Sequence, residues 1–274
     1  MIDLKAARND PDGFRRALAR KGAAEMFDAL LAADERWRAL VPEVDELRGR
    51  TKLKGRPTPE QVEKLQQVKE ELRTSEGALG AAEAEREALL LQVPNPPHES
   101  APDGASEDDA VEISRWGDPP SLAEPKEHTE LGRFEMERAA RISGARFGYL
   151  VGDTALLAFA LYRFALDHLV GHGFTTMLPP VLVREQAMVG TGFFPTEKSN
   201  IYALEEDGLF LTGTSEVALA SFHMDEILDG DQLPLRYAAF SPCFRREAGA
   251  AGRDTRGMFL VHQFNKVEMF VFTA

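Results

Sequence analysis

The sequence predicts an α+β protein in two parts: an antiparallel helical hairpin with coiled-coil-like packing, followed by an antiparallel sheet flanked by helices. Three observations carry this reading. Apolar residues recur at alternating spacings of 3 and 4 along two long segments, 30–47 and 65–89. After Pro97 the composition shifts abruptly to Glu, Ser, Pro, Gly and Asp. Beyond that stretch, a helical pattern alternates with short runs that read as strands.

Taken in order, Asp10-Pro11 reads as an N-cap with proline at the first helical position, and Gly22 reads as the stop. Phe14, Ala17 and Leu18 give this short helix one apolar face. The first long seam is Leu30, Ala33, Trp37, Leu40, Val44 and Leu47; Pro42 interrupts it and is expected to remove a hydrogen bond and add a kink. The second is Leu65, Val68, Leu72, Ser75, Leu79, Ala82, Arg86 and Leu89, with six of eight positions apolar. Two seams joined by a short turn give a hairpin; two ordinary bundle helices are the alternative. Residues 1–97 form this arm, 98–125 a linker and 126–274 a second domain. There, Leu156 to Leu169 reads as a helix, and FTTMLPPVLV as a strand broken by Pro179 and Pro180. LFLTGTSE, Leu209 to Glu216, and two runs within Leu235 to Phe272 also read as strands.

The chain has 274 residues, 45 Asp plus Glu against 32 Lys plus Arg, and a net charge of −13, which excludes a globally basic nucleic-acid binder but not a local basic patch. Such a patch exists at the hairpin turn. RGRTKLKGR holds Arg48, Arg50, Lys52, Lys54 and Arg56 and no acid, a set that either contacts phosphates or forms a solvated turn. A lone cysteine, Cys243, excludes a disulfide framework and a cysteine-cluster zinc site and fits a reducing compartment. The N-terminus lacks a signal-peptide apolar core, and no run approaches the 18 or so apolar residues of a membrane span. A cytoplasmic protein without a membrane partner is expected.

The chemistry concentrates in FSPCFRREAGAAGRDTRGMFLVHQFNKVEMF. A strand ending in Arg245, Arg246 and Glu247 enters a loop rich in glycine and basic residues, and a second strand returns from His262 to Phe272. Alternation puts Arg245 and Glu247 on one face. It likewise groups His262, Phe264, Lys266 and Glu268, with Val261, Val267, Met269 and Val271 opposite. An Arg fork suits phosphate oxygens, an aromatic ring can stack a nucleobase, and carboxylates accept from amino groups. The alternative is a solvated strand face with cross-strand ion pairs.

These residues carry a resemblance. FRRE, a loop and HQFNKVE look like motif 2 of class II aminoacyl-tRNA synthetases. GFTTMLPPVLV resembles motif 1, with Pro180 as its proline. TGTSE resembles the T-x-E loop of the seryl-tRNA synthetase family, and LLLQVPNPPH its junction between arm and body. GTGFFP and SGARFGYL are similar to its connecting segments. The sequence is thus identified as resembling bacterial-type seryl-tRNA synthetases along nearly its whole length.

The resemblance implies an arm that binds tRNA, a partial class II antiparallel sheet, and a ligase that forms seryl-adenylate and seryl-tRNA from L-serine, ATP and Mg²⁺. By this likeness Thr214, Ser215, Glu216 and Glu268 bind serine. Arg245, Arg246 and Glu247 contact ATP, with Arg245 and Glu247 catalytic; Val261 gives adenine a main-chain contact and Phe264 a stacking ring. Arg48, Arg50, Lys52, Lys54 and Arg56 on the arm and Arg253 and Arg256 in the loop face tRNA(Ser), with selenocysteine tRNA as a further candidate. No metal ligands are assigned. A homodimer through motif 1 is implied. The basic segment RGRTKLKGRP and Pro42 depart from the family's more regular, longer arm. The sequence stops after motif 2, before the family's motif 3 arginine, so a poorly active N-terminal fragment is expected. A non-catalytic tRNA-binding paralogue, an amino acid:carrier protein ligase and a helical-hairpin adaptor are the alternatives.

Overall fold

The computed structural model describes residues 2–52, 58–104, 106–248 and 257–274. The chain divides into two compact units, Met1–Gly117 and Asp118–Ala274.

In the first unit, α1 (Leu4–Asn9) and α2 (Pro11–Ala19) precede two long helices, α3 (Ala24–Arg50) and α4 (Pro59–Gln92). The Asp3 carboxylate accepts from the Lys5 and Ala6 amides, a cap that starts α1, a helix the apolar pattern alone does not announce. Asp10 accepts from the Gly13 amide and Pro11 opens α2, as the sequence suggests. The chain then turns through Gly22 at φ 66°, a left-handed conformation that favours glycine. Thr58 and Gln61 form a reciprocal capping box at the start of α4.

The two seams face each other. Leu30, Ala33, Val44 and Leu47 are buried on α3, and every seam position of α4 is less than fully exposed, with Ala82 buried. The two non-apolar seam residues are also placed. Ser75 donates to Glu43 at 2.8 Å. Arg86 lies over the Trp37 ring at 3.9 Å and 4.0 Å from the buried Asp34, which also takes two 2.7 Å bonds from Arg8. α3 continues through Pro42, which lies on its exposed side. At the hairpin base Ile2, Leu18, Phe27, Leu30 and Val93 form an apolar core, with Phe27 fully buried and stacked on Phe14. Part of the expected linker is pinned here, because Arg20 pairs with Asp103 at 2.5 Å and donates to the His98 carbonyl at 3.3 Å.

The second unit contains α5 (His128–Leu131), β1 (Phe134–Glu135), α6 (Met136–Ser143), β2 (Tyr149–Leu150) and α7 (Asp153–Gly171). They are followed by β3 (Thr175–Met177), β4 (Leu182–Arg184), α8 (Glu185–Gly190), β5 (Ala203–Leu204) and β6 (Leu209–Leu211). Last come α9 (Glu216–Ala220), β7 (Leu235–Phe244) and β8 (Gln263–Phe272). The main sheet has order β3-β7-β8, a second has order β4-β6-β5, and β1 pairs with β2. Pro179 and Pro180 split the expected motif 1 strand so that its halves, β3 and β4, enter different sheets.

Three expectations are corrected. β7–β8 and both smaller sheets are antiparallel, but β3 runs parallel to β7, which the long intervening connection permits. The LFLTGTSE run is a strand only to Leu211: the Thr214 hydroxyl accepts from the Glu216 amide and α9 starts there. β7 ends at Phe244 rather than Glu247, whose φ of 50° takes the chain out of extended conformation.

α7 rests one stripe, Ala158, Tyr162, Ala165 and Leu169, toward the sheet, with the Tyr162 ring 4.9 Å from Phe240. Its other side exposes Leu156, Leu157, Phe159, Leu161, Phe164 and Val170. Among the described residues it is the one helix long and apolar enough to cross a membrane by length and composition, although it carries Asp153, Arg163 and Asp167. The sheet residues Met269 and Val271, expected to line an apolar face, are also exposed, at 61% and 39%.

Candidate active site

The antiparallel register of β7 and β8 pairs Ala239 with Glu268, Ser241 with Lys266 and Cys243 with Phe264. Strand alternation therefore puts these six side chains on one face of the main sheet. The turn before α9 lies against that face. Thr214 and Ser215 there are 2% and 1% exposed, and each reaches the sheet through its hydroxyl. Thr214 donates to Glu268 Oε2 at 2.6 Å, and the Ser215 and Ser241 hydroxyls share a 2.7 Å bond. Lys266 Nζ donates to the same Glu268 oxygen.

Burial tends to raise the Glu268 carboxyl, but the bonds from Lys266 and Thr214, with the charges of Lys266 and Arg245, outweigh it and hold the group below the ordinary glutamate value. Thr214 and Glu268, expected to share a site, are thus in direct contact. Ser215 is committed to the sheet. Glu216 is exposed at the start of α9.

Arg245 leaves the end of β7 toward the same region. Its Nε donates to the Gly213 carbonyl at 3.2 Å, and its guanidinium lies 5.3 Å from the Phe264 ring centre. Gly213 fits that approach, since a Cβ there would stand 3.3 Å from the Arg245 Cγ. Arg245 and Glu247 line one pocket of about 380 Å³ with Phe193, Glu197, Asn200 and Ile201. Arg246, expected beside them, is engaged by the segment before β5: it donates to the Ile201 carbonyl at 3.0 Å and lies over the Tyr202 ring at 4.8 Å. Arg245 and Glu247 stay together although β7 ends at Phe244, because both reach the same pocket.

Val261 is buried and bracketed by a device that strand periodicity does not reveal. Arg146, itself at φ 66°, donates from Nε to the Leu260 carbonyl at 2.8 Å, and its own carbonyl accepts the His262 amide at 3.0 Å. His262 returns two contacts to Arg245: its carbonyl accepts the Arg245 amide at 3.0 Å, and its Nδ1 meets the Arg245 carbonyl at 2.9 Å. The segment SGARFGYL signals Arg146 only as part of a resemblance. Lys266 is visible in the sequence as a charge on the polar face, but its contact depends on Glu268 two residues on and Thr214 across the fold.

At the arm, Arg48 pairs with Glu76 at 2.9 Å and Asp45 at 3.5 Å, and Arg50 with Glu71 at 3.9 Å. Lys52 is exposed. Lys54, Arg56, Arg253 and Arg256 lie outside the described residues.

Cys243 is fully buried under the site face, and burial pushes its thiol up against smaller opposing effects of the Ser241 bond and the Lys266 and Arg245 charges. A thiol-specific chromogenic reagent is expected to label it at the rate of unfolding of the second unit. Labelling within the mixing time of the folded chain would contradict this burial.

Comparison with known proteins places the two regions. Residues 1–97 match the family described as Seryl-tRNA synthetase N-terminal domain, and residues 200–274 the tRNA synthetase class II core domain (G, H, P, S and T). A serine–tRNA ligase of Streptomyces coelicolor is 46% identical over 98% of this chain and 67% of its own length. One from Mycobacterium avium is 44% identical over 99% of this chain and 67% of its length. Among solved structures, the seryl-tRNA synthetase of Pyrococcus horikoshii complexed with ATP aligns with TM-score 0.86 and 35% identity, covering 99% of this chain and 69% of that one. The cytoplasmic serine–tRNA ligase of Naegleria fowleri in complex with AMP aligns with TM-score 0.82 and 28% identity, covering 97% and 64%. The chain spans about two thirds of the length of these curated relatives, whose names do not favour the paralogue or carrier-ligase alternatives. With a relative this similar over nearly its whole length, and an arm and core that match in order, the chain belongs to the seryl-tRNA synthetase family.

Proposed function

We propose that this chain supplies the tRNA-binding arm and the motif 1 and motif 2 part of a cytoplasmic serine–tRNA ligase site, which activates L-serine with ATP and passes the seryl group to the terminal ribose of tRNA(Ser). The observation that carries the reading is the contact of Thr214 with an ionised Glu268 on the same sheet face as Arg245 and Phe264. The Glu268 carboxylate suits the α-ammonium of serine, and the loop Thr214–Glu216 the rest of the amino acid. Phe264 offers its ring to adenine and the buried Val261 segment a main-chain edge. Arg245 grips the α-phosphate.

Activation is an in-line displacement. A serine carboxylate oxygen bonds to the α-phosphorus, the bond to the bridging oxygen breaks, and pyrophosphate leaves with that electron pair. The protein's part is to hold the two reactants in line and offset the charge that grows on phosphate oxygens. Among the described residues no group of three His, Cys, Asp or Glu could cage a metal. Glu247, in the pocket of Arg245, is the carboxylate that would hold Mg²⁺ carried on the ATP phosphates. Bound there, Mg²⁺ would supply charge neutralisation. Arg246 supports this site from outside, by fixing the β5–β6 region to the end of β7.

Arg245→Ala is expected to lower serine-dependent ATP–pyrophosphate exchange by about 10²–10³, the usual effect of removing one preorganised charge-stabilising donor, while tRNA affinity holds. Exchange at the parent rate in that variant would refute the role of Arg245.

For tRNA, the arm offers its turn. Replacing Arg50, Lys52 and Lys54 by Ala should weaken tRNA binding and flatten the slope of log K against log salt by roughly 0.7–0.9 for each phosphate no longer neutralised. An unaltered slope would make the turn merely solvated.

The bare apolar side of α7 supports a homodimer through motif 1 in preference to a membrane span, since Asp153, Arg163 and Asp167 would be costly in lipid. Converting Phe159 and Phe164 together to Asp should yield a monomer in sedimentation velocity; a dimer that survives both charges would place the interface elsewhere.

A further inference from the structure

We propose that Lys266 is a positioning residue for serine: with Thr214 it fixes one oxygen of Glu268 so that the other faces the amino group of the amino acid. This rests on the reading of Glu268 as the serine-ammonium acceptor and deepens it. The geometry is specific. Thr214 Oγ1 and Lys266 Nζ both donate to Oε2 of Glu268. The two donors come from different elements, the turn before α9 and β8 itself, so the carboxylate plane is held from two directions.

The arrangement meets a particular difficulty. Glu268 is largely enclosed, at 22% side-chain exposure, and an enclosed carboxylate drifts toward its neutral form, which no longer attracts an ammonium group. Lys266 sits two residues away on the same strand face and supplies the largest effect that opposes this drift. Among the described residues, the other charged group that acts on Glu268 is Arg245, which acts more weakly and is committed to Gly213 and Phe264. Cys243, further along β7, is held neutral by burial. Lys266 is thus the counter-charge that keeps the acceptor ready before serine arrives. Serine then adds its ammonium to Oε1 without displacing an existing bond, and the alignment of its carboxylate with the α-phosphorus follows from a fixed anchor.

The test uses the full chain and two readouts. In carboxyl-carbon NMR, with the Glu268 signal assigned by its disappearance in Glu268→Gln, the parent chain should titrate below the ordinary glutamate value of about 4.3. Lys266→Met should move that midpoint upward, because burial remains and the opposing charge is gone, and Lys266→Arg should restore it. In calorimetric titration with L-serine, Lys266→Met should weaken binding about tenfold at neutral pH, with Lys266→Arg close to the parent. In a Glu268→Gln background Lys266→Met should add no further weakening, which separates positioning from simple damage to the fold. An unmoved Glu268 titration, or parent-like serine affinity in Lys266→Met, would overturn the role of Lys266 alone. A parent chain that titrates as described yet binds no serine would instead overturn the serine reading, and this proposal with it.

Discussion

Ten consecutive residue pairs join β7 to β8, from Leu235 with Phe272 to Phe244 with Gln263, and this ladder decides where each site residue points. Because the side-chain period of a strand is two, a slip of one residue would carry Phe264, Lys266 and Glu268 to the opposite face together. The register is pinned at both ends. Near Phe272 the His223 and Tyr237 rings each meet the Phe272 ring edge to face, with His223 Nε2 2.8 Å from the Tyr237 hydroxyl. Near Phe244 the Arg245 and His262 backbones are bonded and Arg146 clamps the returning chain. Polar residues on one face of the sheet can then be enclosed, because their partners arrive at fixed positions.

Enclosure has an energetic condition. Thr214, Ser215 and Ser241 are almost fully buried, and a buried hydroxyl without a partner costs on the order of 1–3 kcal/mol. Here each meets another polar group: Thr214 meets Glu268, and Ser215 meets Ser241. Thr212 is the exception among the described hydroxyls, with a buried Oγ1 that has no partner. The same logic holds in the arm, where Asp34 is buried but shared between Arg8 and Arg86. That cluster lies in a seam which is otherwise apolar, and the stem of Arg86 covers Trp37 while its charge serves Asp34. In both units the polar contacts therefore specify which packing is formed, and apolar contacts supply most of the driving force.

The arm also shows how local charge can be spent on the fold. Arg48 and Arg50 lie in a basic segment that suits phosphate, yet each is within ion-pair distance of an acid on the hairpin. Such exposed pairs are worth about 0–1 kcal/mol and are readily exchanged, so they do not bar contact with a polyanion. They do mean that a phosphate must compete for them, whereas Lys52 has its charge in solvent.

The sequence by itself determined the long hairpin, the positions where its helices touch, the change of texture after Pro97 and the identity of the Thr214, Arg245 and Glu268 segments. Each of these is written in local periodicity or in a short run of residues, and both survive whatever the rest of the chain does. The two seam positions that broke the apolar rhythm, Ser75 and Arg86, became intelligible only with Glu43, Asp34 and Trp37 beside them. Tertiary structure alone decided that β3 runs parallel to β7, that Met269 and Val271 are left bare, that Arg246 engages Ile201 and Tyr202, and that Lys266 and Thr214 share one oxygen of Glu268. Strand periodicity states which residues share a face, but it contains nothing about what covers that face. The cover comes from elements distant in the chain, here α7 on one side and the Thr214 turn on the other, and only their packing assigns inside, outside and partner.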